Sequence, residues 1–149
     1  SEVRGYSADE AGSIPGEVHR TLTGMVIGAD ESLLDGLSAL IARQLTGFFS
    51  QSAMQQTLTE SHLLVDGIAL ARLDLQAFYR RVPLDIGIER MVAVTAVYSV
   101  IDVDALDFDI FRERYLSQLA DMGLSETDIA AAVEHARQVC ERTAGRGAA

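Results

Sequence analysis

Between Leu58 and Val82 the chain keeps one hydrophobic period for longer than anywhere else, and any fold must accommodate that stretch. Leu64, Ile68, Ala71, Leu75, Phe78 and Val82 recur at alternating steps of four and three. This spacing sets them along one stripe of a helix, with His62, Asp66, Gln76 and Arg80 on the opposite side. A helix of that length is too long for one neighbour to cover. It predicts a central helix that receives several shorter ones or pairs with a copy of itself. The competing signal is Asp66-Gly67, a hairpin turn that would make strands of the residues around it. On the strand reading Arg72 and Asp74 share a face with Ile68 and Leu70, a mixed face. The helical stripe carries no charge, so the helix is preferred, and Gly67 costs it only about 1 kcal/mol relative to Ala.

The flanking segments read as shorter helices. Ser13-Ile14-Pro15 opens one that carries Val18, Leu22, Met25 and Val26. Asp30 or Ser32 caps the next, whose apolar face runs from Leu33 through Leu37, Ile41 and Leu45 to Phe49. Pro83 stops the central helix. Asp85 then caps a nearly all-apolar segment ending near Ile101, rich in β-branched residues but free of internal Pro or Gly after Gly87. Asp104 and Asp107 precede a helix with Phe108, Phe111, Tyr115 and Leu119 on one face, stopped by Gly123. Ser125 with Asp128 restarts the last helix, to about Arg142.

The expected fold is therefore all-α, a single-domain bundle of about five or six helices over residues 14–142, with a flexible arm at 1–13 and a disordered tail at 143–149. The alternative is α+β, with strands near 63–75 and 92–103.

Composition narrows the function. The 149 residues suit one core. A net charge of -10 disfavours nucleic acid and anionic membranes as partners, since both attract Lys and Arg. All 12 basic residues are Arg, so lysine-dependent chemistry such as a Schiff base or a phosphate-binding P-loop is excluded. One cysteine, Cys140, excludes an internal disulfide or a multi-cysteine metal site. No secretion signal or span of about 20 apolar residues is visible, which points to a cytoplasmic protein.

No catalytic motif stands out. Gly36-Leu37-Ser38-Ala39-Leu40 lacks the final Gly of a nucleophile elbow. Asp102 to Glu113 has acids at three positions of a calcium loop but carries Asp107 where the turn needs Gly. His19, His62 and His135 fall on different elements with no metal-ligand spacing, so no metal or cofactor is expected. Two features remain. His62 has Asp66 one helical turn away and is the candidate axial ligand if the chain is a globin-like haem or small-ligand sensor. Arg72, Arg80, Arg81 and Arg90 gather around the end of the central helix, the last three flanking the Pro83 turn, as a candidate contact for an anion or an acidic partner. The leading expectation is a non-enzymatic interaction or regulatory module, an adaptor or chaperone, acting as a homodimer through an apolar helical face. An enzyme using carboxylates and His62 ranks last.

Overall fold

The computed structural model describes residues 2–6, 14–50, 55–85 and 87–147. In chain order the elements are β1 (Glu2–Tyr6), α1 (Ile14–Met25), α2 (Glu31–Phe49), β2 (Gln55–Asp66), β3 (Ala69–Leu84), β4 (Gly87–Val100), a 3-10 turn (Val103–Ala105), α3 (Phe108–Asp121) and α4 (Glu126–Gly147). The strands form an antiparallel sheet in the order β1-β4-β3-β2. The fold is α+β, and the all-α bundle is not what the chain forms. The expected central helix is the end of β2, a hairpin and β3. The apolar segment before Ile101 is β4.

The reason lies in which side chains find cover. Ala71, Leu73, Leu75, Ala77 and Tyr79 alternate along β3 and face α1 and α2, packing with Leu22, Leu37, Ile41, Leu45 and Phe48. This is a period of two. Of the six residues in the supposed helical stripe, Leu64, Ala71 and Leu75 belong to that core, Ile68 is exposed in the turn, and Phe78 and Val82 lie on the other face by alternation. The mixed face that argued against a strand is real. Leu70 is fully buried beneath α3 and α4 with Leu63, Val65, Phe111, Tyr115 and Leu119, whereas Arg72 and Asp74, farther along the same face, lie beyond those helices. The second helical layer covers one end of the sheet only, so a single face changes from apolar to polar along its length.

The hairpin between β2 and β3 pairs Asp66 with Ala69 and leaves Gly67-Ile68 as its loop. Gly67 takes φ +62 while Ile68 keeps a negative φ, the pattern of a turn with glycine first. Asp66 ties this hairpin to the α1–α2 connection. One carboxylate oxygen accepts the Gly28 N–H at 2.7 Å and the other accepts the Tyr98 hydroxyl at 2.6 Å. The Gly67 N–H in turn donates to the Gly28 carbonyl at 2.9 Å. Burial, and then the Asp66 bond, push the Tyr98 hydroxyl up to about 12.

The shorter helices lie close to where capping residues place them. Asp30 and Asp107 each accept two backbone N–H groups at the starts of α2 and α3, and the Ser125 hydroxyl accepts the Asp128 N–H. Gly123 takes φ +75 past the end of α3. Residues 2–6, within the segment read as an arm, pair with β4, and α4 runs past Arg142 to Gly147; the rest of the 1–13 segment lies outside the described residues. Among the described residues no helix is long and apolar enough to cross a membrane.

Candidate functional site

β2 is the sheet's outer strand opposite β1, and it divides at His62. From Gln55 to Ser61 its residues alternate between exposed and half-buried, and from His62 to Val65 every residue is buried. The change has a structural cause. At the buried end α2 and α3 meet around the strand: Arg43 donates to the Asp121 carbonyl at 2.8 Å, and Met122 packs against Gly36. Gln118 of α3 completes the closure. Its side-chain oxygen accepts the Leu63 N–H at 2.6 Å, and its amide nitrogen donates to the Leu63 carbonyl at 2.7 Å. A side-chain amide thus takes the place of the next strand for one residue.

These bonds also fix which backbone groups point outward. In an antiparallel ladder alternate residues face the neighbour, so the outward-facing set containing Leu63 is Gln55, Thr57, Thr59 and Ser61. Among the described residues no strand pairs with them. Replacing Gln118 by Ala leaves the Leu63 N–H and carbonyl without their partner, and the expected cost is about 1–3 kcal/mol, read as a lower urea midpoint at unchanged slope.

Beside this edge lies a cleft of about 150 Å³ between α2, β2 and α3, lined by Gln44, Glu60, His62, Arg114, Gln118 and Asp121 among others. His62 is 2% exposed. Its Nε2 lies 3.1 Å from Gln44 Oε1, while its Nδ1 is buried without a partner among the described residues. Burial pushes the ring down to about 4, against a smaller upward pull from Asp74, so it is neutral near pH 7.

His62 is therefore on a strand, and the globin-like setting expected for it is absent with the all-α fold. Asp66 does not orient it. Four residues along a strand is about 13 Å, and Asp66 is engaged by Gly28 and Tyr98. His19 bonds Asp35 on the surface of α1, and His135 lines a different cleft with Asp30 and Asp128. Among the described residues no group of three or more His, Cys, Asp or Glu is placed to hold a metal ion.

The four arginines do not converge. Arg72 and Arg80 share the open face of β3 but stand roughly 26 Å apart along it, and Arg72 is held by Asp74 at 2.9 Å. Arg81 belongs to the opposite face and pairs with Arg90 in the ladder. The sequence reading passed over Gln118, Gln44 and Arg114. Gln118 lies 55 residues along the chain from Leu63, so no local pattern links the two.

The chain matches no family model, no curated protein and no solved structure. The functional reading rests on this geometry.

Proposed function

We propose that the chain is a non-enzymatic interaction module that assembles with a second copy of itself by pairing the outer edges of β2. The observation that carries this is the open edge from Gln55 to Ser61, which ends where Gln118 begins. Exposed edges in soluble proteins are ordinarily guarded by Pro, a bulge, Lys or a covering element. This one has no Pro, its register with β3 is continuous, and its only charge is Glu60.

The sequence of the edge favours a second copy as the occupant. Read antiparallel about Leu58, Thr57 faces Thr59 and Gln55 faces Ser61 as hydrogen-bonded pairs, while Glu60 faces Gln56. No like charges oppose each other. The pairing uses every outward residue short of the one that Gln118 has taken, and it supplies about eight main-chain hydrogen bonds. A two-fold axis through the Leu58 pair makes the contact closed rather than open-ended. Two four-stranded sheets become one continuous sheet.

Amide exchange tests this directly. The outward N–H groups of Thr57 and Thr59 are expected to gain protection as protein concentration rises, while the N–H of Leu58, bonded to β3, is protected throughout. If Thr57 and Thr59 exchange freely at every concentration, the edge has no such partner and the proposal fails.

A further inference from the structure

Beyond assembly, one end of the sheet presents apolar side chains to solvent. We infer that this end, built from the β2–β3 hairpin and the α1–α2 connection, docks a basic protein partner, with Ile27 and Ile68 as anchors in apolar pockets of that partner.

The placement of these residues carries the first step. Ile27 is 91% exposed and Ile68 is 71% exposed. Ile68 holds the second place of a hairpin loop with glycine first, a place that Asn, Asp or Ser ordinarily fills. The two loops form one unit. The Gly67 N–H donates to the Gly28 carbonyl, and Asp66 accepts the Gly28 N–H, so the residue before Gly28 and the residue after Gly67 are fixed to one another through main chain. Val100, 65% exposed, stands at the same end: it pairs with Ala71, and the N–H of the next residue, Ile101, donates to the Leu70 carbonyl. Exposed hydrophobics scattered singly are ordinary on a surface. Three gathered at one end, on main chain that is already fixed, lose little further freedom when a partner covers them, which is what an anchor requires.

Charge selects the partner. Exposed acids flank the apolar residues on both sides, Asp30 and Glu31 shortly after Ile27, and Asp102 and Asp104 shortly after Val100. Against these four carboxylates stands Arg142, next to Thr143, whose hydroxyl donates to the Ile68 carbonyl at 3.2 Å. The acidic rims of two copies repel each other, and an anionic bilayer repels the same rim. A surface with Lys and Arg around apolar pockets matches both the rim and the anchors. The β2 edge is a separate surface, since Leu58 lies roughly 27 Å from the hairpin along the strand.

Two synthetic amphipathic helical peptides with the same apolar face serve as probes, one of Leu and Arg and one of Leu and Glu. In methyl spectra of the full chain, the Leu–Arg peptide is expected to move the Ile27, Ile68 and Val100 signals saturably, and the Leu–Glu peptide to leave them in place. Replacing both isoleucines together, Ile27→Ser with Ile68→Ser, is expected to weaken binding of the Leu–Arg peptide about tenfold. Each single replacement is expected to weaken it about threefold, so the test does not hang on one variant. Both sites are exposed, and the remaining methyl signals should keep their positions in every variant. The inference is overturned if the Leu–Arg peptide moves other methyls and not these, or if the replacements bind it as tightly as the parent. It is equally overturned if the Leu–Glu peptide, or a vesicle of neutral phosphatidylcholine, engages the same methyls as well as the Leu–Arg peptide does.

Discussion

Lowering the pH from 7.5 to 5 is expected to cost the folded protein about 2 kcal/mol through His62 alone. In the fold the ring sits near 4, below its ordinary value of 6.5, because burial penalises the charged form. Between those values the unfolded chain binds a proton that the folded chain does not. Stability from this group is therefore complete above pH 6.5 and falls as pH drops toward 4, where the loss approaches roughly 3 kcal/mol. Carboxyl groups in general protonate toward the lower end of this range, so the measurement is a difference. Urea midpoints of the parent and of His62→Gln, taken from pH 7.5 to 4.5, should converge on acidification as the parent loses what the variant never had. Parallel curves would mean that His62 is protonated in the fold or reached by water.

Gly28→Val should be the most damaging single change on the surface, by about 2–4 kcal/mol. A Cβ at Gly28 would stand 2.6 Å from Asp66 Oδ1 and 2.7 Å from the Gly67 nitrogen, and the second of these is backbone that cannot swing aside. Relief requires the α1–α2 connection to lift off the hairpin. That motion breaks the Gly28 and Gly67 main-chain bonds together and loosens Asp66 from Tyr98. Gly24→Ala is the control. Nothing lies within 4 Å of its added methyl, and inside α1 the change should be neutral or stabilise by up to about 1 kcal/mol. Thermal midpoints of the two variants read the contrast.

The helices were legible in the sequence because their signals are local. Asp30, Asp107, Ser125 and Gly123 act within one turn, and they stand at helix ends in the structure. The strands were not, because burial along β3 depends on what lies above each residue. The alternation of Leu73, Leu75, Ala77 and Tyr79 with Arg72, Asp74, Gln76 and Arg80 is a period of two. It competed with an equally good run of fours and threes. The turn signal at Gly67 was correct, and the mixed face that seemed to refute it reflects helices that cover only one end of the sheet. β4 was read as a helix on the absence of breakers, although its β-branched content pointed to a strand. At the site, His62 was visible as an unusual residue, but its partner Gln44 lies on α2 and its cleft is closed by α3. Only the tertiary fold joins them.

The homodimer was expected from surplus apolar helix faces, and those faces are instead the two cores on either side of the sheet. Among the described residues the edge of β2 from Gln55 to Ser61 has no neighbouring strand. Thr59→Pro isolates it. The Thr59 N–H points away from β3, so proline removes a donor that the folded monomer does not use, as at natural edge strands, and blocks a second strand from pairing.

Sedimentation equilibrium of the parent and of Thr59→Pro over a wide concentration range is the most direct test. The parent should approach twice its chain mass of 16.1 kDa, while Thr59→Pro stays at 16.1 kDa with its helix and strand content intact. A parent that remains at 16.1 kDa throughout, or a Thr59→Pro variant that associates as the parent does, would contradict assembly through the β2 edge.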